Sequence, residues 1–314
     1  MSLLTAFHGT RRLLKPNLEK RLHVFGSPCR LVISAGMQKP ADLLAMSERE
    51  LKRLESKFGS FYPGSVVSNI NQAAGTGAFT PLDVESRSLL TFVSALWAQS
   101  NHLFDPTTWV LRDCYSPEGR LRATAEQIKG MLQLVGWPAL EITPEGARLP
   151  KKGMVINLDS CVRPYVIDTL RKRLIKEEVN HALIEMDSDA ASIGRQYDGA
   201  NWLVGMRHPR GPRTGIARFK LNDQGFALRG DFEKRVKLAG ENFGQVLSPV
   251  DAQPLPGLLG VAVVAKTCLE ACSAATIARL KTEEAGLHWL AKLGLPWMAI
   301  DRSLRCHGPL APAN

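Results

Sequence analysis

Phe104-Asp105-Pro106-Thr107-Thr108-Trp109-Val110-Leu111 decides how this chain is read, together with Ser60-Phe61-Tyr62-Pro63-Gly64-Ser65-Val66-Val67-Ser68-Asn69-Ile70-Asn71 upstream. Both are short polar turns with aromatic residues set between apolar helical segments. Asp and Thr side chains hydrogen-bond to nearby backbone and hold turns. Two uses are therefore open for the stretch from Phe104 to Leu111. Thr107 and Thr108 face a ligand and Trp109 stacks on its ring, or Asp105 and Thr107 hold the turn. Tyr62, beside Pro63-Gly64, is either a ring contact or a packing anchor.

Working outward, Ala41 to about Lys57 predicts a helix, with Leu43, Leu44, Leu51 and Leu54 on one face. Asp83 caps a second helix running to about Ser100. Thr124 caps a third, between Ala123 and Val135. His23-Val24-Phe25 and Cys29 to Ser34 read as one strand interrupted by Gly26-Ser27-Pro28. Hairpins are expected over 139–149, about Pro144-Glu145-Gly146, and between Phe219-Lys220-Leu221 and Gly225 to Leu228. Strands are expected at 154–158, 182–186, 201–206, 258–265 and 297–301, and helices at 166–178, 270–280 and 283–293. Helices and strands alternate irregularly, which predicts an α+β fold of mixed or antiparallel sheets with packed helices. No internal repeat or long linker divides it. The reading is a basic, poorly ordered arm over 1–20, one large domain over 21–305 and a tail over 306–314.

The chain has 314 residues and a formal net charge of +10, with Arg11, Arg12, Lys15, Lys20 and Arg21 as its densest basic run. Such a protein attracts anions. No basic stripe interleaved with aromatics accompanies that run, so nucleic acid is not expected as a partner. No apolar run is long enough for a membrane span, and neither a signal-peptide core nor a lipid-attachment cysteine is seen, so a cytoplasmic location is expected. The six cysteines make no Cys-x-x-Cys and read as buried free thiols.

An ordered series of motifs from about Phe25 to Asp301 resembles the FAD:protein FMN transferase (ApbE) family. Phe25-Gly26-Ser27 stands where that family has Met-Gly-Thr, and Ser60 to Asn71 resembles its Ser/Tyr/Asn-bearing loop. Phe104-Asp105-Pro106-Thr107 is similar to its F-D-P-T, and Asn201 to Pro209 to its W-x-V-G-I-x-x-P strand. Gly230-Asp231-Phe232-Glu233 echoes the end of its T-S-G-x-Y-E. The resemblance implies an ApbE-type (T-fold-like) domain that binds FAD and, with magnesium, transfers FMN to a Ser or Thr of a partner protein. Phe25, Thr107, Thr108 and Trp109 would then line the flavin, Arg163 would touch phosphate, and Asn157 would replace a FAD-contacting Asp.

The departures cluster at the chemistry. The family's Asp-Leu-Gly-Gly-Ile-Ala-Lys-Gly-Tyr becomes Asn157-Leu158-Asp159-Ser160-Cys161-Val162-Arg163-Pro164-Tyr165. Its next Gly-Gly becomes Asp187-Ser188, and its Thr-Ser before Gly becomes Leu228-Arg229. Its H-x-x-D-P-x-T-G becomes Gln245 to Ala252. The family holds Mg²⁺ with an Asp, a Thr four residues later and a backbone oxygen. Here Cys272 stands for that Asp, with Thr276 and the backbone of Ser160 as what remains. Mg²⁺ wants oxygen ligands, and a soft thiol is a poor substitute. Two functions follow. One is a divergent FMN transferase that binds FAD. The other is a non-catalytic binding or assembly protein, beside a flavinylated target or an active paralogue.

Overall fold

In the computed structural model, residues 17–34, 39–209, 215–230, 235–238, 241–244 and 246–312 are described. Residues 1–16 of the expected arm, the motif residues 231–233 and Gln245 lie outside them. The chain opens with β1 (Leu18–Val24) and β2 (Ser27–Ile33), then α1 (Pro40–Phe58), α2 (Val66–Gln72) and α3 (Val84–Gln99). A 3₁₀ segment (Pro106–Cys114), α4 (Ala125–Leu132) and the hairpin β3 (Glu141–Thr143)/β4 (Gly146–Arg148) lead to α5 (Asp159–Lys176). Next come β5 (Ala182–Met186), β6 (Asp189–Ile193), β7 (Trp202–Arg207), β8 (Gly215–Leu221), β9 (Gly225–Gly230), β10 (Arg235–Leu238) and β11 (Glu241–Gly244). The chain closes with β12 (Gly260–Ala265), α6 (Cys268–Leu280), α7 (Glu283–Leu293), β13 (Trp297–Ile300) and β14 (Cys306–His307).

Eight strands form one sheet in the order β1-β2-β5-β6-β9-β12-β13-β14, with every neighbouring pair antiparallel. Side chains alternate across it with a period of two. Val261 and Val263 of β12 pack with α6 and α7, whereas Ala262 and Val264 meet the β7/β8 ribbon on the other face. Helices thus cover one side of the sheet and a two-stranded ribbon the other, which is the expected α+β architecture.

Five expectations need correction. The strand read through Gly26 is a hairpin: Phe25 (φ 52°) and Gly26 (φ 65°) form a two-residue turn with both φ positive, the geometry that matches strand twist. Residues 18–20, expected in the arm, instead belong to β1 and pair with 31–33. The tail from 306 is pinned, because β14 pairs with β13 and the Asp301 carboxylate meets His307 Nε2 at 2.9 Å and Arg305 Nε at 2.8 Å. The hairpin expected about Asn222-Asp223 does not form. β8 pairs with β7, while β9, whose Phe226, Ala227 and Leu228 are buried, sits in the sheet between β6 and β12. Residues 154–158 make no strand, and Asn71 takes the backbone of Ile156: Asn71 Nδ2 donates to Ile156 O (2.9 Å), and Ile156 N donates to Asn71 Oδ1 (2.8 Å).

Candidate active site

The Phe104–Leu111 turn is held from within. Asp105 Oδ1 accepts from Thr107 N (2.8 Å) and Thr107 Oγ1 (2.5 Å), and its Oδ2 accepts from Trp137 N (2.8 Å). Thr107 is fully buried, and its Oγ1 also accepts from Gly136 N. Of the two uses open in the sequence, Thr107 takes the structural one. The 3₁₀ segment then turns Thr108 and Trp109 outward. The Arg112 guanidinium lies 3.7 Å from the Trp109 ring centroid, and Phe61 meets Trp109 at 5.5 Å between centroids. Burial pushes the Arg112 pKa down, against the pull of Asp159.

These groups border a cavity of about 900 Å³. Phe25, Thr108, Trp109, Asn157, Ser160, Arg163 and Thr276 all line it. The structure thus brings the sequence-derived site residues together, Thr107 and Cys272 excepted. Sequence reasoning missed Arg112 and Arg279 in the lining, along with Glu55. Glu55 accepts from Phe25 N at 2.6 Å and so fixes the β1–β2 turn at the rim. Its helical spacing from the apolar face of α1 gave no sign of this, because the contact spans 30 positions.

The helix after Asn157 starts earlier than expected, at Asp159 instead of 166. Asp159 is in the first turn, where a carboxylate suits the positive helix end. Ser60 Oγ donates to Asp159 Oδ1 (2.8 Å), and Asn157 Oδ1 accepts from Asp159 N (3.1 Å). Pro164 lies inside α5 and has no N–H to give the carbonyl of Ser160. Cys272 Sγ approaches that carbonyl at 3.4 Å. Asp187 has a positive φ of 55° and lines the cavity with Ser188.

Behind the cavity wall is a buried charged centre. Strand alternation puts Asp189, on β6, and Arg229, on β9, on the helix-covered face. Asp189 stands opposite Ala227, so Arg229 reaches it diagonally. Arg229 Nη1 and Nη2 donate to the two Asp189 oxygens at 2.7 and 3.0 Å, a bidentate pair. Arg229 Nη2 also donates to Cys272 Sγ at 2.8 Å. Cys272 is buried, and Thr276 Oγ1 lies 3.7 Å from its sulfur. Burial pushes the Cys272 thiol up despite the opposing pull of Arg229. A neutral thiol also suits the geometry, since an S–H facing the Ser160 carbonyl has a donor to offer and a thiolate has none.

These residues do not fit a magnesium ion. The expected carboxylate is a protonated sulfur, and a guanidinium already contacts that sulfur. Among the described residues no group of three or more His, Cys, Asp or Glu could hold a metal. Among them, too, no helix is long and apolar enough to cross a membrane.

A sequence profile of the ApbE family matches residues 25–298. The FAD:protein FMN transferase of Klebsiella pneumoniae (strain 342) is 24% identical over 120 residues, which is 38% of this chain and 36% of that protein, so the match spans about a third of that relative. Three solved structures share the fold. The ApbE protein of Thermotoga maritima has a TM-score of 0.82 at 22% identity, covering 93% of this chain and 97% of that one. The flavin transferase ApbE of Vibrio cholerae has 0.79 at 16% identity, with the same coverage. The apo form of the Pseudomonas stutzeri flavinyl transferase ApbE has 0.78 at 23%, covering 91% of each chain.

Proposed function

The chain belongs to the ApbE family, and from that premise we propose that it binds a flavin nucleotide in the cavity but does not run magnesium-dependent FMN transfer. The observation that carries this reading is the contrast between two neighbouring regions. The cavity beside Asn157 and Arg163 is open, while the position expected for the metal is filled by Arg229 and Cys272. A volume of about 900 Å³ lies within the range of small-molecule and cofactor sites.

In this reading Trp109, backed by Arg112, gives the flavin a stacking face, and Phe25 adds an apolar contact from the same cavity lining. Base–aromatic stacking contributes about 1–3 kcal/mol. Arg163, oriented by Ser27 Oγ at 3.1 Å, takes a phosphate. Asn157 offers a neutral amide where a carboxylate would repel one. The protein acts as a binding or assembly component, beside a flavinylated protein or an active relative. Phe61, 71% exposed, and Tyr62, 45% exposed, leave aromatic surface at the cavity for such a partner.

Phosphoryl transfer rests on positive charge set against the phosphate and on an activated nucleophile. The buried thiols offer no nucleophile, because burial raises the pKa of Cys161, Cys268 and Cys272 and keeps the thiolate scarce at neutral pH. The test is a fluorescence titration with FAD, paired with an assay for AMP release in the presence of magnesium and a Ser/Thr acceptor peptide. Saturable binding without AMP is expected. Catalytic AMP release, or no flavin binding at all, overturns the reading.

A further inference from the structure

We propose that the Arg229 guanidinium, anchored by Asp189 and Cys272, takes the place of a divalent cation, so that a diphosphate-bearing ligand binds without magnesium. The proposal rests on the flavin-nucleotide reading for its ligand, and its geometry is independent of it.

Three departures in the sequence meet at one point in space. Leu228-Arg229 replaces a Thr-Ser, Cys272 replaces an Asp, and Pro164 replaces a Gly. Each alone reads as a loss. Together they build a closed hydrogen-bonded unit: Arg229 gives to Asp189 and to Cys272, and Cys272 faces the Ser160 carbonyl that Pro164 leaves without its helical donor. A carboxylate at position 272 would compete with Asp189 for the guanidinium. A thiol of similar size accepts one N–H and returns one S–H. The swap of Asp for Cys and the arrival of Arg are thus compatible with each other and with neither a bound cation nor the family's ligand set.

The guanidinium is also placed to act. Arg229 lines the cavity, and its side chain is 16% exposed. Its Nη1 is taken by Asp189 and the Leu228 carbonyl, and its Nη2 by Asp189 and Cys272. Arg163 lines the same cavity, and its charge is felt by Asp189. A diphosphate at this wall meets Arg163 and the Asp189-anchored face of Arg229, in a partly desolvated setting where charged groups act more strongly than in water.

The test has three arms. FAD and ADP are titrated by calorimetry with magnesium and with EDTA, and Mn²⁺ alone is followed by its paramagnetic resonance. The wild-type protein is expected to bind both nucleotides with affinities within threefold in the two buffers and to hold no Mn²⁺. Binding that requires magnesium, or stoichiometric Mn²⁺ on the wild type, overturns the proposal and leaves the flavin reading standing. ADP binding in EDTA without FAD binding sinks the flavin reading alone, and no binding of either sinks both. The second arm is Cys272→Asp, alone and with Arg229→Ser. The single variant is expected to stay free of Mn²⁺, its new carboxylate pairing with Arg229. The double variant is expected to gain a Mn²⁺ site; gain by the single variant refutes the idea. The third arm needs no new site: the charge-free pair Arg229→Gln/Asp189→Asn, checked for native circular dichroism, is expected to lose at least fivefold in ADP affinity in EDTA. Unchanged affinity there means that Arg229 does not serve the ligand.

Discussion

Asp189→Asn is the perturbation whose outcome follows most directly from the buried centre. Asp189 is 1% exposed and holds both ends of the Arg229 fork. Removing its charge leaves a guanidinium in the protein wall facing an amide that can accept only part of what it donates. Breaking a buried pair from one side costs about 3–5 kcal/mol. The 16% of Arg229 that meets the cavity can recruit water, so the expected loss is near the lower limit, about 3 kcal/mol. With an unfolding entropy of about 2.1 cal/mol/K per residue, the 314 residues give on the order of 0.7 kcal/mol/K, and Tm should fall by about 4–5 °C. Differential scanning calorimetry reads this at constant buffer. Adding Arg229→Gln removes the orphaned charge, and the double variant should recover at least about 1.5 kcal/mol of the sum of the two single losses. A single-variant shift below about 1 °C, or strictly additive losses in the double variant, refutes the view that the two residues form one electrostatic unit.

Other outcomes follow from the site. Asp105→Ala leaves the N–H groups of Thr107 and Trp137 without their acceptor and should cost about 2–4 kcal/mol in chemical denaturation. Trp109→Ala removes the stacking face and should weaken FAD binding about 5–30-fold, with little change in Tm beyond about 2 °C; equal affinity would place the flavin elsewhere. Lowering pH should erode stability below about pH 4. Burial works against Asp83, but Lys57 and the Ser86 hydroxyl and N–H hold its pKa down at about 2, so its contribution is complete above the unfolded value and is lost as pH falls through about 2. Glu85, lowered in the same network by Arg53 and Lys57 against its own burial, shifts in the same direction. Lys57→Met should flatten the acid limb of a Tm-against-pH profile, and an unchanged limb contradicts this assignment.

The elements written into local pattern were legible from sequence. The helix over Val84–Gln99, its Asp83 cap and the strand over Ala182–Met186 follow from apolar spacing and a polar start signal. The missed features are those set by distant parts of the chain. A helix was expected only from 166, yet α5 starts at Asp159 and runs through Pro164 because Cys161, Val162, Val166 and Ile167 are all buried against the core on that helix. Residues 154–158 had strand-like composition, but Asn71, 85 positions from Ile156, took the backbone N–H and C=O of that residue. The cavity was legible in part because the motif residues come from turns, and the structure gathers those turns at one place. Arg229 was read only as a lost motif. Its role depends on Asp189 and Cys272, 40 and 43 positions away, and no local rule connects them.

The most direct measurement is the affinity of the purified full chain for FAD, titrated side by side in magnesium and in EDTA. The account predicts one saturable site with the same affinity, within threefold, in both. An affinity that collapses on chelation would contradict it, because a metal ion would then be completing the site that Arg229 and Cys272 are said to close.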